Sequence, residues 1–267
     1  MREQLLSIIN EKIQCKYIDD DKDTWIKLED DIKYVHAWYE YWNVKYQTIY
    51  FSEAYRNYTD ISLVLYSGGS AVGIWPLSVY DSDDFKKVIC SIGLGVIPPV
   101  IYSEKISVEG QRKIYEKCFE ALEAVCKFLK IEYIDFRTMV LDDGQGVFQQ
   151  KMQEKGATIK GIDSECYIDL NMSEEEILNT IRRTNKYSIK KAKDLWKYKI
   201  IDGATNSACE VEKYFEKFRD LHIDVAGRET RSVDTWKAQI DIVNNQKGFL
   251  VLLYDDSDEM IGASLYT

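Results

Sequence analysis

Residues 61–80 read ISLVLYSGGSAVGIWPLSVY, and this stretch decides how the rest of the chain is interpreted. An apolar run ends at Tyr66, a turn rich in glycine and serine follows, and a second apolar run opens at the pair Val72-Gly73. Two runs of strand length on either side of such a turn predict a β-hairpin.

The same pattern returns near the end of the chain. Residues 248–267 read GFLVLLYDDSDEMIGASLYT, with Tyr254 closing the first run and the pair Ile261-Gly262 opening the second. The sequence therefore predicts a second hairpin of the same design, which suggests an internal duplication.

The segments around the hairpins complete a repeated unit of helices and strands. Amphipathic helical stretches at 34–58 and 207–246 precede the two hairpins. After the first hairpin the sequence predicts strands at 86–92, 131–138 and 157–169, and helices at 107–130 and 145–155.

These elements predict an α/β protein of the α+β kind, with mixed, mostly antiparallel sheets flanked by helices. We assign residues 1–170 to a first unit and residues 171–267 to a second. By analogy with 81–170, the second unit would lack roughly 90 residues, so we expect an incomplete sheet and a C-terminal truncation.

Composition excludes several classes of protein. Hydrophobic residues make up 45% of the 267 residues, which excludes general disorder. The formal net charge of −10 repels bulk nucleic acid, so any polyanion would have to be bound locally. The N-terminus offers no signal-peptide core, and the charge-free run 91–103 is too short to span a bilayer and contains Pro98 and Pro99, so no membrane insertion is expected.

The cysteines and histidines argue against a metal centre. The six cysteines lie far apart without a C-x-x-C pair, which is typical of reduced thiols in a cytoplasmic protein. Only His36 and His222 are present, so a histidine-rich metal site is excluded. The sequence also lacks the phosphate-binding motif G-x-x-x-x-G-K-[ST].

The segment 182–193, RRTNKYSIKKAK, concentrates positive charge in this acidic chain. It holds six lysines or arginines in twelve positions and no acidic residue. Ser173 followed by Glu176 forms a capping box, so a helix is predicted to start there, with an apolar stripe that can be buried. The stripe comprises Ile177, Ile181, Ile189, Ala192 and Trp196.

If that helix continues through Asn185, its cations fall along one side. Arg182, Lys186, Lys190 and Lys193 are then spaced by four and three residues, and their mutual repulsion is unfavourable unless an anion or acidic side chains balance it. Two interpretations stay open: a solvated basic face balanced by nearby acids, or a clamp for phosphate or pyrophosphate.

A second candidate segment is HIDVAGRETRSVDTW at 222–236. Its arginines, Arg228 and Arg231, either pair locally with Glu229 and Asp234 or face a binding cleft. A lone histidine such as His222 is more often a packing residue than a general base.

The pattern R-x-N-K-Y-x-I-K-K-A-K, the capped helix before it and the segment FEKFRDLHIDVAGRETRSVDTW after it resemble the FemABX-like branch of the GNAT acyltransferase superfamily, from about residue 30 to the end. The resemblance implies two tandem GNAT-like units. It also implies that Arg182, Arg183 and Lys186 contact the phosphates of an acceptor, and that the Gly-Pro stretch 91–99 lines the cleft. Lys186 stands where the family often has arginine, and the acyl-CoA pyrophosphate loop Q/R-x-x-G-x-G/A is not found.

The chemistry that this resemblance implies is attack of an amine on an activated acyl carbon, held on coenzyme A or on tRNA. Family members that use tRNA often carry a long helical-hairpin arm, and 171–247 shows no sustained heptad for one. We therefore expect acyl-CoA as donor and an amino sugar of a cell-surface polysaccharide precursor, such as a nucleotide sugar, as acceptor. The alternatives are aminoacyl transfer from tRNA to a peptidoglycan precursor and a non-catalytic module that binds an anionic glycan or nucleic acid. No catalytic residue is assigned.

Overall fold

The computed structural model describes residues 1–267 except 33–34, 92, 94, 103, 105, 139–144 and 162–167. The helices are α1 (Arg2–Asn10), α2 (Lys22–Asp31), α3 (Tyr41–Ala54), α4 (Val108–Leu129), α5 (Gln145–Glu154), α6 (Glu174–Thr180), α7 (Arg183–Leu195), α8 (Ala208–Ala226) and α9 (Val233–Asn244), with a 3-10 helix at Ala37–Tyr39. The strands are β1 (Cys15–Tyr17), β2 (Arg56–Asp60), β3 (Leu63–Ser67), β4 (Ser70–Trp75), β5 (Ser78–Asp81), β6 (Lys87–Cys90), β7 (Val100–Ile101), β8 (Lys197–Asp202), β9 (Phe249–Tyr254) and β10 (Met260–Tyr266).

Helices and three antiparallel sheets are combined in the described chain, as the predicted fold class requires. The chain divides into two compact units, Met1–Thr158 and Ile159–Thr267. The division at residue 170 that we drew from the sequence stays a prediction, because 162–167 lie outside the described residues.

The first unit is built around a sheet in the order β1-β3-β4-β7 whose two faces are both buried. Successive side chains of a strand point to opposite faces, so one strand can supply two cores. Leu63 and Leu65 of β3 pack in a cluster with α1 and α4, whereas Val64 packs in another cluster with α2 and α3. A second sheet, in the order β2-β5-β6, belongs to the same unit.

Among its described residues, the second unit has one sheet, in the order β10-β9-β8, and its helices α8 and α9 pack on one face. Ile201, Leu250 and Leu252 of that face are fully buried. The sequence dictates where α8 begins, because the hydroxyl of Ser207 accepts a hydrogen bond from the N–H of Glu210 at 3.4 Å. The helix ends at Gly227, whose φ of 67° is a left-handed conformation that favours glycine.

Both predicted hairpins are confirmed, and the first contains a β-bulge. Leu65 lies opposite Gly73, but Tyr66 lies opposite Ala71, so Val72 is the extra residue on β4. Such a bulge bends the strand and increases its local twist.

The second hairpin has its bulge at the corresponding position. Leu253 lies opposite Gly262, and Tyr254 lies opposite Met260, so Ile261 is the extra residue on β10. The apolar-glycine pair that the two sequences share is therefore also the site of the same backbone irregularity, which supports the interpretation as a duplication.

The elements after the first hairpin follow the prediction only in part. The helices at 107–130 and 145–155 and the strand at 86–92 are confirmed as α4, α5 and β6. The predicted strand 131–138 is wrong, because a single parallel bridge between Val96 and Phe136 is formed there. The centre of the predicted strand 157–169 lies outside the described residues, and the flanks that are described form no strand.

Candidate anion-binding surface

The basic segment begins at a capped helix, as predicted. The backbone N–H of Ser173 donates to Oε2 of Glu176 at 2.8 Å, and the Ser173 hydroxyl accepts from the Glu176 N–H at 3.3 Å. The condition on which the single row of cations depended, that this helix continues through Asn185, is not met. Ile181 has an extended backbone (φ −78°, ψ 142°), and α7 starts anew after Arg182.

Two side-chain contacts show that α7 folds back along α6. Lys186 Nζ donates to Oδ1 of Asn179 at 3.4 Å, and Lys193 forms an ion pair with Glu174. The first pair is seven residues apart in sequence and the second nineteen, which is the pattern of two antiparallel helices joined by a tight turn. We call residues 173–195 the basic hairpin.

Five of the six cations on the basic hairpin have no acidic side chain within ion-pair distance among the described residues. The Lys193 ammonium is paired with Glu174. Within the described ranges, the side chains of Arg182, Arg183, Lys190 and Lys191 form no hydrogen bond or ion pair. Like charges on neighbouring turns repel one another, so a bound anion would relieve a cost that the described acids leave in place.

The apolar stripe predicted on this segment is half-buried at Ile177, Ile181, Ile189 and Ala192, and no member of it is fully buried. None of the residues of α6 and α7 is buried, and Trp196 after α7 is exposed. Tyr187 of α7 is 70% exposed. Aromatic rings and cations are therefore presented together on this surface, a feature that the sequence analysis missed because it assigned Trp196 to a core.

The loop between α8 and α9 holds the other two candidate arginines, and the side chain of Arg231 contacts neighbouring residues there. Its Nη1 donates to Nε2 of His222 at 3.0 Å, and its guanidinium carbon lies 5.3 Å from the ring centroid of Trp236. Nε2 of His222 also lies 2.5 Å from the hydroxyl of Thr230. Because arginine can only donate, Nε2 acts as an acceptor and the ring carries its proton on Nδ1.

The surroundings of His222 keep it neutral and packed. Burial lowers the pKa of His222, and the positive charge of Arg231 lowers the same pKa further. The ring also contacts Phe218 and Trp236 edge to face, with centroids 6.4 Å and 5.4 Å away. These contacts favour the interpretation of His222 as a packing residue.

The local ion pairs that we considered for this loop are wrong. Glu229 pairs with Arg219 at 2.6 Å instead. In the described part of the chain, Asp234 forms no ion pair, and exposed Arg228 has no side-chain partner. The five predicted cations thus form two groups, three at the turn and start of α7 and two in the α8–α9 loop. Their contact with phosphate stays a prediction, as does the cleft role of 91–99.

The described residues were compared with the requirements of a metal site, a membrane-spanning helix and a reactive thiol. No group of three or more histidine, cysteine or acidic side chains there could hold a metal ion, and no described helix is long and apolar enough to cross a membrane. Five cysteines are free thiols, and Cys166 lies outside the described residues. Burial raises the pKa of the Cys15 thiol to about 12, which makes it a poor nucleophile.

Comparison with known proteins finds a likeness among solved structures. No protein-family model matches the chain, and no curated protein matches it. Among solved structures, the chain is similar to the crystal structure of FemX, with a TM-score of 0.46 and 14% sequence identity. The match covers 74% of this chain and 49% of that one, so the chain spans about half the length of FemX.

Proposed function

We propose that the chain is a transferase that moves an acyl or aminoacyl group onto an amine, and that the basic hairpin binds the phosphates of its acceptor. The observation that carries the proposal is the set of cations without acidic partners among the described residues at the turn and start of α7. The sequence resemblance to FemABX-like proteins, together with the repeated bulged hairpin, supports the reaction class.

We assign phosphate binding to the end of the basic hairpin at which α7 begins. Arg182 precedes the first turn of a helix of 13 residues, and Arg183 is in that turn. Backbone N–H groups and the helix dipole favour an anion at this end, and arginine can bind phosphate through two parallel hydrogen bonds. Lys186 lies one turn further on, where it would act as a point charge. A nucleotide-sugar or lipid-linked diphosphate is the acceptor class that this arrangement fits.

The reaction needs little from a dedicated base. The amine nitrogen attacks the acyl carbon, the bond from that carbon to the oxygen of tRNA or the sulfur of coenzyme A breaks, and the amine proton is lost while the leaving group is protonated. Positioning and stabilisation of the oxyanion supply most of the rate in such a step. We assign no general base, and His222 is not a candidate because its Nε2 already accepts hydrogen bonds.

We now favour aminoacyl-tRNA over acyl-CoA as the donor. The sequence favoured acyl-CoA because no long helical arm was predicted. Beyond the three cations assigned to the acceptor, however, α7 carries Lys190, Lys191 and exposed Tyr187, and exposed Trp196 follows it. Exposed aromatic rings beside basic side chains suit single-stranded RNA, whose bases stack while its phosphates are neutralised. Acyl-CoA remains the second candidate, because the same surface fits its adenine and its phosphates.

The acceptor role is tested by titrating a UDP-amino sugar into three single variants, Arg182→Ala, Arg183→Ala and Lys186→Ala. We expect at least one of them to bind about ten- to a hundredfold more weakly, because a charge-assisted hydrogen bond worth about 1.5–3 kcal/mol is lost. Lys193→Ala is the matched control, since its ammonium is already paired with Glu174. Unchanged affinity in all three variants would leave the basic hairpin as ordinary surface charge.

The donor is tested by transfer assays with acyl-CoA and with charged tRNA, and by the salt dependence of donor binding. A tRNA contact that neutralises several phosphates should weaken steeply with salt, with a logarithmic slope of about −0.7 for each phosphate on a single strand. Transfer from acyl-CoA but not from charged tRNA would favour acyl-CoA as the donor, as we expected from the sequence. If the protein binds the UDP-amino sugar and transfers from neither donor, a non-catalytic binding module is the better interpretation.

A further inference from the structure

The α8–α9 loop holds two guanidinium groups that no described carboxylate balances. Arg228 is exposed and has no side-chain partner among the described residues, and Arg231 forms no ion pair with any of them. The acid that lies between them in sequence, Glu229, is bound to Arg219 of α8 at 2.6 Å. Two positive charges this close along the chain repel each other, so a bound anion would stabilise the loop.

The polar partner of Arg231 is an unusual one for a guanidinium that is half-buried. Within the described ranges, its one hydrogen-bond acceptor is Nε2 of His222, at 3.0 Å, and its own Nε is buried without a partner there. Guanidinium groups that leave water normally bind a carboxylate or a phosphate, because a charged acceptor compensates for the lost hydration. A neutral imidazole thus occupies the position in which an anion would bind Arg231 best.

The contact between Arg231 and His222 can exist only while the imidazole is neutral. Nε2 accepts the N–H of Arg231, and a protonated imidazole has no lone pair left with which to accept. The contact with Thr230 does not have this dependence, because a hydroxyl can accept a hydrogen bond as well as donate one. Protonation of His222 would therefore release Arg231 and leave Thr230 bound.

The charged groups described around His222 come from α8 and from the loop. Arg231 is in direct contact, and Arg219 lies one turn earlier on α8, where it is bound to Glu229. Helix α9 contributes the uncharged ring of Trp236, with its centroid 5.4 Å away. Burial and the charge of Arg231 lower the pKa of His222, and a bound anion would raise the same pKa, because it stabilises the imidazolium beside the guanidinium.

We propose that the α8–α9 loop is a phosphate site whose occupation is coupled to proton uptake by His222. As a phosphate binds, one proton from solvent forms an N–H bond at Nε2, and Arg231 gives up its contact with the ring. The phosphate oxygens then accept hydrogen bonds from the imidazolium and from Arg231, and the nearby charge of Arg228 adds to the attraction. The proposal rests on the phosphate-binding function proposed above, and the phosphate belongs to the acceptor or to the donor.

The coupling has a defined direction with pH. Binding takes up a proton, so affinity should increase as the pH falls toward the pKa that His222 has in the complex. The effect is reciprocal, because an anion that prefers the protonated protein must raise the pKa of His222 by the same free energy. A preference of about tenfold corresponds to a rise of about one pH unit.

Sulfate is a suitable probe, since it has the tetrahedral shape of phosphate and keeps its charge near neutral pH. The chain contains two histidines, so the ring signals of His222 and His36 can be followed separately by NMR in the full chain. Relative to chloride at equal ionic strength, saturating sulfate should raise the pKa of His222 by about one and leave that of His36 unchanged.

Variants at two arginines separate this site from a general effect of salt. Arg231→Gln should raise the pKa of His222 in the absence of sulfate, because a repelling charge is lost, and should largely remove the response to sulfate. Arg112→Gln is the matched control, since Arg112 is an exposed arginine of α4 in the first unit. It should respond to sulfate as the parent does.

The source of the phosphate is identified by calorimetry in buffers of different ionisation enthalpy, with a UDP-amino sugar and with a short single-stranded RNA. The ligand that occupies the site is the one that binds with uptake of a proton. Proton uptake with neither ligand would make sulfate an adventitious ion only and would overturn the proposal. A pKa of His222 that does not respond to sulfate, or that responds equally in Arg231→Gln, would also overturn it. Failure of the acceptor role of the basic hairpin is a separate result, because alanine at Arg182, Arg183 or Lys186 leaves the response of His222 to sulfate intact.

Discussion

Gly73 and Gly262 hold the same position in the two hairpins but have different surroundings. A methyl group placed on Gly73 would lie 2.6 Å from the carbonyl oxygen of Val100 and 2.8 Å from a methyl carbon of Ile101, because β7 runs beside β4. At Gly262 the nearest atom is a side-chain carbon of Leu253 at 3.4 Å, which is ordinary contact. The close approach of β7 therefore requires glycine at position 73, whereas position 262 has room for a methyl group.

Alanine at the two positions should have different effects on stability. Gly73→Ala forces the backbones of β4 and β7 apart, and we expect it to lower the free energy of unfolding by about 1–3 kcal/mol. Gly262→Ala meets no backbone and removes the flexibility of a strand glycine, so we expect no loss and a gain of up to about 1 kcal/mol. Chemical denaturation of both variants beside the parent gives the comparison. Equal destabilisation would mean that β10 also has a close strand neighbour.

At the scale of elements, the sequence predicts a helix or a hairpin correctly where the pattern is local. The two hairpins follow from alternating apolar runs around a polar turn, and α6 follows from the capping box of Ser173. Each of these signals acts within a few residues, so no knowledge of the remaining chain is needed.

Features that depend on distant residues could not be predicted from the sequence. The break at Ile181 has no proline or glycine to mark it, and the fold-back of α7 is supported by Lys193 and Glu174, which lie nineteen residues apart. Residues 131–138 have strand composition but find a single bridge partner, so composition alone misled us there. Apolar spacing likewise predicted that Trp196 is buried, but spacing does not reveal whether another element covers that side.

At the candidate site, too, contacts between distant residues could not be predicted from the sequence. The cations were found because charge density is visible in a sequence, whereas the engagement of Arg231 by His222 and Trp236 required the fold. Of the two arginines predicted in the α8–α9 loop, Arg228 thus remains the one whose charge is available to a ligand within the described surroundings.

For the whole molecule, the two compact units have separate hydrophobic clusters. The clusters of Met1–Thr158 are built on β3 and β4, and the cluster of Ile159–Thr267 is built on β8 and β9. Stability can differ between parts of a chain when their cores are distinct, and each part then opens with its own free energy.

We therefore expect core substitutions to act on one unit at a time. Leu252→Ala removes a fully buried side chain of the second unit, at a cost of about 2–5 kcal/mol, and should reduce hydrogen-exchange protection in β8–β10 while residues 1–158 keep theirs. Leu65→Ala, equally buried in β3, is the reverse control and should reduce protection in the first unit. The measurement is peptide-resolved hydrogen exchange by mass spectrometry. If Leu252→Ala lowered protection evenly across both units, they would unfold as one cooperative body, and the duplicated hairpins would mark an ancestry rather than two independently stable folds.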